Sequence, residues 1–209
     1  MPPDQEPLVS IIDDDSSIRR SLTRLLKSVG YRTETFDSAM SFLENGQRPN
    51  CLLLDITLPG MSGLDLQTMF IEGNLDTPIV FITGQGKISL AVKAMKSGAV
   101  DFLEKPFQDK DLFRAVRNAI EKDHSARASE NSNKELRHKI YSLTPREHEV
   151  LTFVISGLPN KAIAVELGAS EKTIKVHRGR FMHKIGASSI VELIRLADKA
   201  GIQPVFTKT

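Results

Sequence analysis

The stretch Cys51-Leu52-Leu53-Leu54-Asp55 decides the fold. An unbroken apolar run that ends in a carboxylate reads as a strand buried on both faces, as in a parallel sheet, with its last residue emerging at the rim. Outward from it in both directions the same form recurs. Leu8-Val9-Ser10-Ile11-Ile12 runs into Asp13-Asp14, Ile79-Val80-Phe81-Ile82 ends in Thr83, and Val100-Asp101-Phe102-Leu103 leads to Glu104-Lys105. Open α/β sheets hold their chemistry outside the carboxyl ends of their strands. These acids, the hydroxyl and the ammonium are therefore expected to share one pocket.

The segments between the runs supply helices. Ile18, Leu22, Leu25, Leu26 and Val29 recur at the spacing of one helical face, and Gly30 stops them. Tyr31 to Phe36 alternates like a half-buried strand, and Ser38 is placed to cap a short helix that closes at Asn45-Gly46. Leu58-Pro59-Gly60-Met61-Ser62-Gly63 is a turn-rich loop, after which Leu64, Leu66, Met69 and Phe70 open the next helix. Ile88, Ala91, Val92 and Met95 share one face of a helix that Gly98 stops, and Asp109 starts another. Strands alternating with helices in this way predict a doubly wound parallel sheet.

The chain of 209 residues allows one large domain or two ordinary ones. Charge favours two. Residues 1–122 carry 14 Lys and Arg against 17 Asp and Glu, a net of −3, whereas residues 123–209 carry 14 against 9, a net of +5. The halves should meet different partners. No apolar run approaches the roughly 20 residues of a spanning helix, and the first residues lack the pattern of a signal peptide, so a cytoplasmic protein with no membrane partner is expected. The single cysteine, Cys51, leaves no internal disulfide and no cysteine-based zinc site, and reads as a buried structural thiol.

From Gln108 to Leu143 there is neither glycine nor proline. Leu112, Val116, Ala119 and Ile120 suit packing on the sheet, but residues 121–135 offer only alanines as apolar groups. A solvated connecting helix and a frayed polar linker are both open. Beyond it, Thr144-Pro145-Arg146-Glu147 carries a cap, a proline at the first helical position and an acid that reaches back. Asn160 is placed to cap a second short helix, Ser170 a third running to about Lys184, and Ser189 with Glu192 forms a capping box for the last. Four short helices with a tight central turn make a helix-turn-helix.

Carboxylates gathered at adjacent strand ends repel one another, and a hard divalent cation with oxygen ligands, Mg²⁺ above all, compensates them. Beside such an ion a carboxylate can attack phosphorus, while a hydroxyl and an ammonium receive the phosphoryl oxygens. In the basic half, Lys172, Lys175, Arg178, Arg180 and Lys184 put five cations into thirteen residues with no acid between them. Ile174, His177, Phe181 and Ile185 mark the buried face, so the cations point outward on the second helix of the helix-turn-helix, which is the one that enters a major groove. His177 and His183 lack a cysteine or acidic companion and are not taken as a metal site.

Asp13-Asp14, Asp55, Thr83 and Glu104-Lys105-Pro106-Phe107, in this order, resemble the receiver domain of bacterial two-component response regulators. Leu143-Thr144-Pro145-Arg146-Glu147, Gly157 to Ala164 and Ser170 to His177 resemble the LuxR-type DNA-binding domain. Together they are similar to the NarL/FixJ family. The wording Ile82-Thr83-Gly84-Gln85-Gly86 and Ala99 to Phe107 is closer to its FixJ branch, near the regulators of styrene and toluene catabolism. The resemblance implies a flavodoxin-like α/β receiver over residues 6–122 with strand order 2-1-3-4-5, a linker over 123–142 and an all-α helix-turn-helix domain over 143–209.

It further implies that Asp55 is phosphorylated by a sensor histidine kinase. Asp13, Asp14, Asp55 and the Thr57 backbone carbonyl hold one Mg²⁺, Thr83 and Lys105 read the phosphate, and Phe102 follows Thr83 as an aromatic switch. Thr57 and Gln85 influence phosphate hydrolysis, and Lys105-Pro106 is cis. Lys175, Val176 and Gly179 read bases, supported by Lys161, Lys172, Thr173, Arg178, Arg180 and Lys184. Gly179 weakens its helix by about 1 kcal/mol relative to alanine. The partners implied are the kinase, double-stranded promoter DNA with a two-fold site, a second copy of the phosphorylated chain, and RNA polymerase as a candidate. Two rivals stand beside this: a magnesium-dependent phosphatase, against which the basic helix-turn-helix argues, and a phosphate-independent DNA-binding adaptor, against which the intact Asp55, Thr83 and Lys105 argue.

Overall fold

The computed structural model describes residues 6–84 and 88–204. The chain divides into two compact units between Arg127 and Ala128. The first contains β1 (Leu8–Ile12), α1 (Ser16–Ser28), β2 (Arg32–Phe36), α2 (Ala39–Asn45), β3 (Cys51–Asp55), α3 (Gly63–Glu72), β4 (Ile79–Thr83), α4 (Ile88–Lys96), β5 (Asp101–Glu104) and most of α5 (Asp109–Tyr141). The strands form one parallel sheet in the order β2-β1-β3-β4-β5. This is the predicted topology.

Every residue of β3 and β4 is buried, because helices cover both faces of the sheet. The two-residue period of a strand assigns the side chains. Val9, Ile11, Leu53, Val80 and Ile82 pack with Leu22 and Leu26 of α1 and with Leu112, Val116 and Ala119 of α5. Ile12, Leu52, Leu54 and Phe81 point the other way, onto Phe42, Leu66, Phe70 and Ala94. Each fully buried leucine or isoleucine contributes roughly 1.5–3 kcal/mol of transfer free energy. Ser38 caps α2, as expected, and Gly46 closes it in the left-handed region at φ 65°. Cys51 is buried, with its thiol pKa pushed well up by desolvation.

On α4 the stripe Ile88, Val92 and Met95 faces solvent, and only Ala94 is buried. The apolar period is real, but it is spent outward. α5 is helical throughout its 33 residues, which resolves the alternative left open for the linker. Both ends of the span 123–142 are held by the units. Asp123 is fully buried in the first, where its carboxylate takes a hydrogen bond from Asn50 Nδ2 at 2.7 Å and pairs with Arg127 Nε at 2.7 Å. Leu136 and Ile140 are core residues of the second.

The second unit contains the end of α5 with α6 (Pro145–Ile155), α7 (Asn160–Glu166), α8 (Glu171–Ile185) and α9 (Ile190–Ala200). Thr144 and Glu147 form the capping box with Pro145 in the first turn. Ile174, Phe181 and Ile185 of α8 bury against Val150, Leu151, Val154, Ile163 and Leu193. Two caps differ from expectation. Asn160 is the first residue of α7 rather than its cap, and its Oδ1 accepts from Arg178 Nη1 at 3.2 Å. Ser189 caps α9, but the Glu192 carboxylate bonds Ser188 instead of completing a box.

Candidate functional site

Parallel pairing brings the carboxyl ends of β1, β3, β4 and β5 side by side. In register, Ile12 lies opposite Leu54, Asp55 opposite Ile82, and Thr83 opposite Glu104. The residues that follow each strand therefore meet. Carboxylate oxygens of Asp13, Asp14 and Asp55 lie within 4.8 Å of one another, with Asp13 and Asp55 buried and Asp14 exposed. Lys105 Nζ reaches in from the loop after β5 and lies 2.6 Å from Asp13 Oδ2 and 2.7 Å from Asp55 Oδ2. The Lys105-Pro106 peptide bond is cis, as the resemblance implies.

Two backbone donors aim the acids. The Asp15 N–H bonds Asp13 Oδ1 at 2.9 Å, and the Thr57 N–H bonds Asp55 Oδ1 at 3.0 Å. Burial pushes the Asp13 carboxyl up from its ordinary 3.8, and bonds from Lys105 and the Asp15 N–H oppose it only partly. Burial also works against the Lys105 ammonium, but the two carboxylates outweigh it and raise its pKa. Three acids facing one ammonium leave negative charge uncompensated, and clustered carboxylate oxygens are the donor set a hard divalent cation takes. The residues fit Mg²⁺.

Thr83 is fully buried at the end of β4, its carbonyl accepting from the Lys105 N–H at 2.8 Å. Phe102, two pairs along the same ladder, is half-buried against the cluster on which Leu90 of α4 also packs. Thr57 is exposed beside the pocket. Gln85 lies outside the described residues. One participant escaped the sequence reading: Gly63. A Cβ there would stand 2.3 Å from the carbonyl oxygen of Asp55, so only glycine lets α3 start this close to the acid. Its place in a turn-rich loop disguised a packing requirement as a turn preference.

On α8, Lys172, Thr173, Lys175, Val176, Gly179 and Arg180 are exposed, and positions 172, 175, 176 and 179 follow one outward stripe. Lys161 is exposed on α7. Two cations grouped with these on charge alone are instead bonded inside the unit. Lys184 Nζ lies 2.6 Å from Glu147 Oε2, and Arg178 holds Asn160. The partner of Lys184 sits 37 positions away on another helix, which no local pattern in α8 could reveal.

Residues 9–117 match the response regulator receiver domain, and residues 141–197 match the bacterial regulatory proteins of the luxR family. The chain is 44% identical over 203 residues to Nodulation protein W of Bradyrhizobium diazoefficiens, covering 96% of this chain and 89% of that protein. This chain belongs to the response regulators with a LuxR-type output domain. It is also 41% identical over 196 residues to the transcriptional regulatory protein FixJ of the same organism, covering 93% of this chain and 96% of that one. Among solved structures it is similar to the response regulator StyR, with 42% identity and a TM-score of 0.78 over 93% of this chain and 100% of that chain. As a member of this family it is a two-component transcriptional response regulator, a DNA-binding protein rather than one of a family of enzymes. No helix among the described residues is long and apolar enough to cross a membrane.

Proposed function

We propose that Asp55 is the phosphate acceptor and that its phosphorylation controls promoter binding by α8. The observation that carries this is the Lys105 ammonium held between Asp13 and Asp55 at 2.6 and 2.7 Å, at the rim of the sheet of a chain that also carries an outward basic helix. A carboxylate oxygen of Asp55 forms the new O–P bond as the N–P bond to the kinase's histidine breaks. Lys105 and the Thr57 N–H stand where they can receive phosphoryl oxygens. Mg²⁺, when held by Asp13, Asp14, Asp55 and the Thr57 carbonyl, supplies the positive charge that lets an anionic phosphoryl group approach.

Phosphorylation adds close to two negative charges beside a buried hydroxyl. Thr83 turns towards the new oxygens, Phe102 follows into the space it leaves, and α4 responds because Phe102 and Leu90 pack in the same cluster. The exposed stripe Ile88, Val92 and Met95 supports pairing of two receivers through this side of the molecule. Two DNA-binding domains then engage a two-fold site. Lys175, Val176 and Gly179 read bases; Lys161, Lys172, Thr173 and Arg180 hold phosphates; Arg178 and Lys184 add to the field while fixing the domain. The receiver spans 6–122 and the DNA-binding domain 143–209, with 123–142 between them. The protein works in the cytoplasm with a sensor histidine kinase, and RNA polymerase is the candidate recipient of its output.

Asp55→Asn should take up no phosphate from acetyl phosphate in Mg²⁺, read by mass spectrometry of the intact chain. Retained labelling sinks the assignment. Lys175→Ala should weaken specific DNA binding about fivefold to a hundredfold and relax the preference for the base it reads, with labelling unchanged. An unaltered affinity removes that residue from the interface.

A further inference from the structure

Gly179 weakens α8, and among the described residues nothing asks for it. It is the one glycine there that lies inside a helix beyond the first residue, with ordinary right-handed backbone. A glycine in that place loses more conformational freedom on folding than any other residue and leaves the helix weaker than alanine would. At Gly63 the compensation is visible, since a Cβ would stand 2.3 Å from the Asp55 carbonyl oxygen. At Gly179 a Cβ would meet no atom within 4 Å. The reason for the missing side chain therefore lies outside the folded unit.

The surroundings of the position supply a second sign. Gly179 is exposed on the outward stripe, with Val176, 45% exposed, one turn before it and the half-buried Met182 and exposed His183 one turn after. Lys175 Nζ lies 3.6 Å from Glu171 Oε1, so its stem is drawn towards the start of the helix and away from the gap. What remains is a notch in a basic face, with a bare Cα as its floor and the side chains of Val176 and Met182 at its rim. Its floor offers a phosphate no donor, because the N–H of a mid-helix residue is already bonded within the helix. Among the base edges of the major groove one group is apolar, the C5-methyl of thymine; the rest are donors and acceptors.

We propose that Gly179 is a specificity-determining residue that selects a thymine by its methyl group, through the close approach that its missing side chain permits. The helix settles with the methyl in the notch, against Val176, whereas any side chain at position 179 holds the backbone away from the base. This rests on the reading of α8 as the helix that enters the major groove.

The test selects a duplex from a random library on the full-length chain in Mg²⁺ and beryllofluoride, then measures its binding to wild type, Gly179→Ala and Lys175→Ala by fluorescence anisotropy. Gly179→Ala should raise the thermal midpoint of the DNA-binding unit by about 4–8 °C and yet bind the selected duplex about tenfold more weakly. Deoxyuridine, which lacks only the methyl, then replaces each thymidine of the site in turn. At one position in each half-site the wild type should lose about fourfold in affinity, and there the penalty of alanine should shrink. Equal or tighter binding by Gly179→Ala, with Lys175→Ala weakened, would overturn this role and leave α8 as the reading helix; unaltered binding by both variants would overturn the two together. A penalty of alanine that is the same on every duplex, selected or not, would put the close approach on sugar and phosphate and overturn the selection of thymine. A lowered thermal midpoint would show that the fold itself requires the glycine, and would overturn the role as well.

Discussion

In the receiver pocket a lysine ammonium lies 2.6 Å from one buried carboxylate and 2.7 Å from another; in the DNA-binding unit Lys184 lies 2.6 Å from the buried carboxylate of Glu147. The contacts are alike and the surroundings are not. At Glu147 one acid meets one ammonium and the Thr144 N–H at 2.9 Å, and these bonds, Lys184 first, hold the carboxyl below its ordinary value. In the pocket three acids share one ammonium, and burial instead drives Asp13 up. A carboxylate whose partners match its charge is a strut. One left in surplus is waiting for a cation or a phosphoryl group, and perturbed acids clustered at strand ends mark a site for that reason. Asp123 belongs with Glu147: it is fully buried, and Arg127, Arg48 and Asn50 all turn towards it.

If the distinction holds, removing a strut costs stability and removing a surplus acid does not. Asp123→Ala leaves Asn50 Nδ2 without its acceptor and takes the partner from Arg127 and Arg48, whose side chains are 37% and 35% exposed and regain water. It should lower the stability of the receiver by about 2–3 kcal/mol, seen as an earlier urea midpoint at unchanged slope. A loss below about 1 kcal/mol would return Asp123 to the status of a solvated helix residue. Asp55→Asn, by contrast, should leave the midpoint where it is or raise it, since one of three repelling charges is gone. Gly63→Ala falls between the two. Its added methyl meets the Asp55 carbonyl oxygen at 2.3 Å, so the loop must shift, at about 1–3 kcal/mol, and take the acceptor with it. Slower acetyl phosphate labelling should accompany the lost stability; an unchanged labelling rate would mean that α3 yields without moving β3.

What the sequence made legible was local or periodic. The run Cys51 to Asp55 gives a buried strand and its terminal acid by pattern alone, and repetition of that pattern brings Asp13, Thr83 and Lys105 to the same rim. Thr144 and Glu147 are three residues apart, so their capping box can be read directly. Missed features join positions far apart in the chain. Asn50 and Asp123 are separated by 73 residues, and Glu147 and Lys184 by 37. Charge patterning on α8 places Lys175 and Lys184 together, since nothing within the helix distinguishes an ammonium facing solvent from one bound to α6. The stripe Ile88, Val92 and Met95 illustrates the converse: period reveals that a face exists, while only packing decides whether it points into the core.

The smallest of the expected effects tests the strut itself. Because the folded carboxyl of Glu147 lies below its ordinary 4.5, chiefly through Lys184, its contribution to stability is complete above that value and disappears as pH falls through the lowered folded value. Stability of the DNA-binding domain should therefore decline on acidification below pH 4.5, partly through this group. Other carboxylates titrate in the same range, so the informative quantity is the difference between the wild type and Glu147→Gln. At neutral pH the substitution should cost about 1–2 kcal/mol, kept modest because the Lys184 side chain is 37% exposed and regains water when its partner is lost. The gap should close as pH falls through the folded value, since protonated Glu147 and glutamine are then both neutral. A gap that stays constant with pH would assign the loss to the cap on Thr144 rather than to the ion pair, and Glu147 would then cease to be the charge-balanced counterpart of the receiver pocket.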